Sequence, residues 1–427
     1  MAGGLMQLVA YGAQDVYLTG NPKVTFFQAV YRRHTNFAME NIEQTINGTA
    51  ADSGRVSVTV ARNGDLVADM YVEMESEIDL SLSTGGQTGG SLLPSNEWIA
   101  ERAIKDVELS VGGQRIDKHY QTWWRLYSEL YLDSSKKTTW GKMTTGVDGA
   151  KVYLPLIFFF NRNPGLALPL IALQYHEVRL DFDLTSDFDE YIKPSSFKVY
   201  ANYIYLDTEE RRRFAQKGHE YLIEQVQHTG TDTLAAGSNQ KRLSFNHPVK
   251  ELVWCLSQST RDHNYLWNFT KNADSATTQP QASTNIENTC AAGATIAASD
   301  FDAGNCPKLL AVEATTAWDE DACSNMVDMK LVLNGQDRFK EQGSKYFNSV
   351  QPFNHHSGTP MPGIYSYSFA LKPEEHQPTG TCNFSRIDNA QVAINAGSGS
   401  NKTLNMFAVN YNVLRIQSGM GGLAFSN

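Results

Sequence analysis

Between Asp69 and Leu82 the chain alternates strictly. Met70, Val72, Met74, Ser76, Ile78, Leu80 and Leu82 occupy one parity, and Asp69, Tyr71, Glu73, Glu75, Glu77, Asp79 and Ser81 the other. Successive side chains of a β-strand point to opposite faces, so this period puts one face in a core and the other in water. Shorter runs repeat it at Val56/Val58/Val60, Val107/Leu109/Val111, Leu180/Phe182/Leu184, Val327/Met329/Leu331/Leu333 and Tyr365/Tyr367/Phe369/Leu371. Gly, Pro and Asn clusters separate the runs. Many short strands with few long helical stretches predict an all-β chain, an antiparallel sandwich or barrel.

One helix stands out near the middle of the chain. Asp207 is placed to cap it and Glu210, three residues on, would complete a capping box. Glu209 and Arg213 are spaced i,i+4, and Gly218 offers a C-terminal stop. This reads as a solvated helix linking two halves.

The halves resemble each other. Leu109-Ser-Val-Gly-Gly-Gln-Arg-Ile-Asp-Lys118 is similar to Leu331-Val-Leu-Asn-Gly-Gln-Asp-Arg-Phe-Lys340, each an alternating strand running into a Gly-Gln turn. Asn163-Pro-Gly165 before Val178 and Leu180 parallels Pro378-Thr-Gly380 before Val392 and Ile394 at a similar offset and in the same order. Two ordered matches point to a duplicated β-sandwich.

Composition narrows the role. The 427 residues suffice for two or three cores, and 41% hydrophobic content excludes a largely disordered chain. A net charge of −10 argues against nucleic acid as a direct partner, because phosphate binding needs clustered Lys and Arg. The start, Met1-Ala2-Gly3-Gly4, has neither the charged beginning of a secretion signal nor the second-position Gly of N-myristoylation. The most apolar region, Val152 to Leu173, carries Asn161-Arg162-Asn163-Pro164 at its middle and so predicts two buried strands joined by a turn, not a membrane span. Five scattered cysteines (Cys255, Cys290, Cys306, Cys323, Cys382) predict reduced thiols in a product of the cytoplasm.

No constellation of residues predicts catalysis, a cofactor or a metal. His219-Glu220 lacks a second His at zinc-protease spacing, and His355-His356 has no ligand-spaced neighbour. The acidic Asp181, Asp183, Asp187, Asp189 and Glu190 lack EF-hand spacing and read as the outward edge of a strand. Gly419-Met-Gly421-Gly422 opens no helix, Trp123-Trp124 read as core, and Arg211-Arg212-Arg213 is too short for a nucleic-acid patch. Four N-x-Ser/Thr triplets begin at Asn47, Asn268, Asn383 and Asn401, and each by itself is no more than a chance match.

Longer motifs are less generic. Tyr11-Gly-Ala-Gln-Asp-Val-Tyr-Leu-Thr-Gly-Asn-Pro22, Tyr31-Arg-Arg-His-Thr-Asn-Phe37, Gly112-Gly-Gln-Arg-Ile-Asp-Lys-His-Tyr120 and Pro155-Leu-Ile-Phe-Phe-Phe-Asn161 closely resemble the major capsid proteins of phycodnaviruses, large icosahedral DNA viruses of algae. So do Pro164–Glu177, His219–Gln225, Leu333–Phe339, Gly380–Asp388 and Asn410–Arg415 through Gly419–Ala424. The resemblance spans nearly the whole chain and weakens in the segments 81–97, 132–151 and 272–307, which read as loops.

The resemblance implies two consecutive eight-stranded jelly rolls, a double jelly roll with a short linker helix, in a non-enzymatic shell protein. It implies homotrimers of pseudo-sixfold outline that tile an icosahedral shell, with minor capsid proteins and an internal membrane beneath. On that reading residues 1–24 are an N-terminal arm packed under the trimer. Residues 25–212 are the first jelly roll, 213–218 the linker and 219–427 the second. The family's glycans make Asn268, Asn383 and Asn401 candidate acceptors. Two alternatives remain: a sugar-binding or glycan-cleaving β-sandwich, and a minor or vertex capsid protein, which the duplication disfavours.

Overall fold

The computed structural model describes residues 3–77, 98–146, 148–258, 267, 269, 324–399 and 401–425. The segments expected as loops at 81–97 and 272–307, and the acceptor Asn268, lie outside them.

The first ten strands are β1 Phe37–Gln44, β2 Ile46–Asn47, β3 Arg55–Thr59, β4 Leu66–Glu75, β5 Ile104–Val111, β6 Gln114–Tyr120, β7 Lys151–Pro155, β8 Leu168–Pro169, β9 Val178–Leu184 and β10 Lys198–Leu206. They form two sheets, β1-β10-β4-β7 with β8 beside β4, and β2-β3-β9-β5-β6. The remaining strands are β11 His219–Leu234, β12 Ser238–Leu243, β13 Pro248–Gln258, β14 Asp328–Leu333, β15 Gln336–Asp337, β16 Gln342–Gly343, β17 Ile364–Ser368, β18 Cys382–Asn383, β19 Ala390–Asn395, β20 Lys402–Gln417 and β21 Met420–Leu423. Their sheets run β11-β20-β13-β17, with β18 beside β13 and β21 beside β20, and β12-β19-β14-β15, with β16 beside β14.

The two orders correspond strand for strand. β1, β10, β4 and β7 become β11, β20, β13 and β17, while β3, β9, β5 and β6 become β12, β19, β14 and β15. Even the side strands match, β8 on β4 and β18 on β13. Within each half the chain passes back and forth between its two sheets, which is the jelly-roll path. The turn signature found in the sequence carries the same backbone in both copies: Gly112 and Gly113 have φ +57° and +81°, Asn334 and Gly335 +50° and +81°. Positive φ at both central residues matches the twist of a tight hairpin, which is why Gly and Asn stand there.

Alternation does what it predicts. Met70, Val72, Met74 and Ser76 are buried, and Tyr71, Glu73 and Glu75 are not. In the second half Leu252, Trp254 and Leu256 enter one core with Met406 and Ala408, while Val253 and Cys255 enter another on the opposite face.

Several expectations need correction. The linker helix runs Thr208–Gln216, but Asp207 makes no side-chain cap. Its pairs are Arg212–Glu209 and Arg213–Glu210 at i,i+3, not Glu209–Arg213 at i,i+4, and Arg211 reaches Asp65 at 3.0 Å. Gly218 does not end it in a left-handed turn. Lys217 is extended, and His219 Nε2 meets the last-turn carbonyl of Phe214 at 2.8 Å. Between Val152 and Leu173 the two strands are separated by a helix, Phe159–Arg162, and a 3-10 turn, Pro164–Leu166. Asn161 bends the chain there by accepting from Phe158 N (3.1 Å) and donating to Ala68 O (2.7 Å). Phe158, Phe159 and Phe160 are buried nonetheless. Residues 132–151 are not simply a loop: Ser134–Thr144 is a helix whose Asp133 cap accepts from Lys136 N. A further helix, Gln121–Leu130, buries Trp123 and Trp124.

Residues Met1–Phe37 form a separate unit with a helix at Gly3–Val9 and a turn of helix at Val16–Thr19.

Candidate functional site

The feature the fold builds with most care is the seam between its two sandwiches. From β11, β20 and β13, Ile223, Val253, Cys255, Phe407, Val409, Leu414 and Ile416 all belong to the same continuous core as the first sandwich. Trp123 meets the Phe407 ring at 5.6 Å. His228 stacks on Phe407 at 4.4 Å, and burial pushes its imidazole down to about 4, so the ring packs as a neutral aromatic.

Within this apolar seam lie charged groups. Arg162, on the short helix after β7, places Nη2 2.6 Å from Glu224 Oε2 on β11. Lys250 of β13, fully buried, reaches the same oxygen at 2.8 Å and donates to Pro373 O at 2.6 Å. Burial alone would raise the Glu224 pKa, but Arg162 and Lys250 outweigh it and hold the carboxylate below its ordinary range. Lys250 is pushed down to about 8, first by burial and then by Arg162, with Glu224 opposing. Two cations thus share one carboxylate, and the ammonium bears the strain.

Beside them His356 is enclosed between Glu251 (Nε2 to Oε2, 3.1 Å) and Glu374 (Nδ1 to Oε1, 3.4 Å). Burial disfavours the charged ring, yet the two carboxylates hold it at about 9. The residues that follow stitch the sandwiches together. Gly358 N donates to Leu130 O (2.9 Å), Ser357 Oγ to Tyr131 O (3.2 Å) and Met361 N to Glu129 Oε2 (3.2 Å), while Lys137 Nζ donates to Thr359 O (2.6 Å). At the far end Leu423 N donates to Gln114 Oε1 (3.1 Å), and His176 Nδ1 sits 2.9 Å from Gly421 O. Polar links at both ends and packed rings between make one stiff two-sandwich block.

Sequence reasoning missed this seam. Its one local signal was the helical spacing of Trp123, Tyr127, Leu130 and Tyr131 inside a chain that otherwise alternates.

The residues singled out earlier are dispersed. Trp123 and Trp124 are core. Asp181, expected at an outward edge, is largely buried and is held by Arg179 at 2.8 Å and Arg55 at 3.6 Å. Its strand lies inside the sheet, between β3 and β5, so partners had to replace water. Among the described residues no three His, Cys, Asp or Glu side chains gather as metal ligands, and no helix is long and apolar enough to cross a membrane. Cys382 is a free thiol and Cys255 is buried; the other three cysteines lie outside the described residues.

Asn383 and Asn401 are both exposed. Asn383 Oδ1 accepts from Ser385 N at 3.0 Å. They stand at opposite ends of β13: Asn383 pairs with Pro248, whereas Lys402, next to Asn401, pairs with Gln258.

Comparison with known proteins agrees with this architecture. Residues 210–422 match the family described as large eukaryotic DNA virus major capsid protein, and residues 25–207 match the major capsid protein N-terminus. The chain is 44% identical over 473 residues to the major capsid protein of Paramecium bursaria Chlorella virus 1, and 41% identical over 524 residues to that of Phaeocystis pouchetii virus, each covering 100% of both chains. Among solved structures, PBCV-1 VP54 superposes with a TM-score of 0.74 at 40% identity, over 94% of this chain and 100% of that one. The Faustovirus major capsid protein, at 12% identity and a TM-score of 0.66 over 97% and 96%, shares the fold.

Proposed function

This chain belongs to the major capsid protein family of large eukaryotic DNA viruses, and from that premise we propose that it acts as a homotrimer whose six sandwiches form a pseudo-hexagonal capsomer. It is a structural component of the virion shell, not an enzyme, and it assembles with further capsomers of its kind. The observation that carries the trimer is the duplication. Two sandwiches of identical strand order, locked by a buried seam, give each chain two similar edges, and three chains give six. Closed symmetry then satisfies every subunit contact. Purified protein should sediment at three times 47.5 kDa and show a hexagonal outline by electron microscopy. A stable monomer, or the pentamer expected of a vertex protein, would refute the reading.

The jelly rolls are placed at 25–212 and 219–427 with 213–218 between them; among the described residues every ladder of the first two sheets falls within 37–206 and every ladder of the last two within 219–423, which fits that division. Residues 1–24 act as an arm toward minor capsid proteins and an internal membrane beneath the shell. In their own unit, Leu5, Leu8, Val9, Tyr17 and Leu18 are exposed, which fits an apolar segment awaiting a partner. The free thiol Cys382 fits synthesis in the host cytoplasm.

Asn268, Asn383 and Asn401 are the candidate glycan acceptors, of which one of Asn383 and Asn401 is used. Because Asn383 and Asn401 stand at opposite ends of one sheet, only one of the two can face outward from a shell. Glycopeptide mass spectrometry of virions should find one occupied and the other bare; both occupied, or both bare, would sink this assignment.

A further inference from the structure

Three Asn-Gly pairs occur in the chain, Asn47-Gly48, Asn63-Gly64 and Asn334-Gly335, and the fold treats them differently. An asparagine before glycine is prone to lose its amide, because glycine has no Cβ to shield its own nitrogen from the preceding side chain. The reaction also needs a side chain free to swing back and a backbone N–H that is not committed elsewhere. Asn334 is held at both ends: its N donates to Asn389 O at 2.7 Å and its Oδ1 accepts from Asn389 N at 3.0 Å. Asn47 is held by its main chain. It pairs with Ser57 across β2 and β3, and Gly48 lies so close to Arg55 that a Cβ would sit 2.7 Å from the Arg55 carbonyl oxygen.

Asn63 is different. It is exposed and lies in the bend between β3 and β4. Among the described residues nothing accepts from the Gly64 N–H, and the Asn63 side chain has no hydrogen-bond partner. The chain is pinned on either side of it. Before it, the buried Tyr203 hydroxyl donates to Ala61 O at 2.6 Å, and Arg62 donates to Gln174 O at 2.8 Å and to His176 O at 3.2 Å. After it, Asp65 N donates to Ile204 O at 3.1 Å. The Asp65 carboxylate accepts from Leu206 N at 2.9 Å and pairs with Arg211 of the linker helix at 3.0 Å. Glycine is required at 64, since a Cβ there would sit 2.8 Å from Tyr203 Cβ. Packing on Tyr203 thus places a glycine after the one asparagine of the three that the fold leaves free.

We propose that Asn63 is a self-modifying site that ages the joint between the sandwiches. The Gly64 nitrogen, giving up its proton to water, bonds to the Asn63 side-chain carbonyl carbon, and ammonia leaves to give a cyclic imide. Water then opens the ring at either carbonyl, to aspartate or to isoaspartate, with no oxidant or reductant involved. Both products add a negative charge at 63. Isoaspartate also routes the main chain through the former side chain and lengthens it by one carbon between Arg62 and Gly64. Gly64 has no room to take up that length against Tyr203, so Asp65 must shift. Asp65 is the residue that ties Arg211, and with it the linker helix, to the first sandwich. The modification therefore loosens the root of that helix.

The test uses the full-length chain, aged by incubation in mildly alkaline buffer, once folded and once in urea. Peptide mass spectrometry, with enzymatic methylation to mark isoaspartate, follows residues 47, 63 and 334 in the same sample. In the folded protein residue 63 should convert several-fold faster than the other two, and in urea the three rates should converge. Folded protein in which residue 47 or 334 converts as fast as 63, or in which 63 stays intact, would overturn the site. Brief trypsin treatment reads the helix, since cleavage after Arg211, Arg212 or Arg213 reports local opening. Aged wild type should be cut there faster than fresh protein, while aged Asn63→Gln should keep the fresh rate. Fresh Asn63→Asp, which adds the charge without the extra carbon, should also keep it. Aged Asn63→Gln cut as fast as aged wild type would overturn the loosening, and rapid cutting of fresh Asn63→Asp would overturn its assignment to the lengthened chain.

Discussion

Arg162 and Glu224 meet at 2.6 Å across the seam, one from each sandwich, and Lys250 reaches the same carboxylate from the other side. An ion cluster is an expensive way to join two sandwiches, since each charge loses its water. It is also selective. A slip of β11 by one residue would turn Glu224 to the opposite face and leave Arg162 and Lys250 without it, whereas an apolar joint would tolerate some sliding.

Arg162→Ala should therefore cost about 3 kcal/mol of unfolding free energy, because it leaves Lys250 alone to satisfy a nearly buried Glu224. The double variant with Glu224→Ala should cost less than the sum of the two singles. Urea denaturation at fixed protein concentration measures both, and strict additivity would mean the pair is not coupled.

Stability should fall at alkaline pH through His356. Its folded pKa of about 9 lies above the ordinary 6.5, so its contribution is complete below about pH 6.5 and is lost as pH rises through about 9. The shift corresponds to about 3 kcal/mol. Lys250, held down at about 8, gives an opposite slope between about 8 and its ordinary 10.5, so the comparison must be with His356→Gln. If wild type and His356→Gln lose stability in parallel between pH 6.5 and 9, the enclosed imidazolium is not the cause.

Two glycines should respond differently to Ala. A Cβ on Gly358 would sit 2.5 Å from Leu130 O, in the strands of chain that join the sandwiches, and overpacking of that kind costs about 1–3 kcal/mol. Gly335, at φ +81°, has nothing within 4 Å, so Gly335→Ala should cost about 1 kcal/mol from backbone strain alone. Thermal melts should rank Gly358→Ala as the more damaged; the reverse order would place the tight contact elsewhere.

Among the described thiols, Cys382 should label first in native protein and Cys255 only after unfolding, because Cys255 is buried within the seam core. Burial also raises the Cys382 pKa, so its labelling should be slow at neutral pH. Intact mass without reductant should show five free thiols; two disulfides would contradict cytoplasmic synthesis.

Deleting residues 1–22 should leave folded trimers that assemble poorly into shells, because among the described residues no ladder includes one before Phe37. A truncated chain that stays monomeric would move the arm into the subunit interface.

The strands and their facing could be read from the sequence because strand pattern is local: Met70, Val72 and Met74 declare one buried face within five residues. The duplication was legible for a similar reason, since Gly112-Gly113 and Asn334-Gly335 need a left-handed backbone that few residues adopt. The linker helix was legible in its position but not in its pairs: Arg213 took Glu210 at i,i+3, and Arg211 found Asp65, far earlier in the chain. Nothing local announces that Arg162 will find Glu224, that His356 will lie between Glu251 and Glu374, or that Trp123 will pack on Phe407. Periodicity says which side chains leave water; only the folded chain decides which of them meet, and with them whether a buried charge is stabilised or stranded.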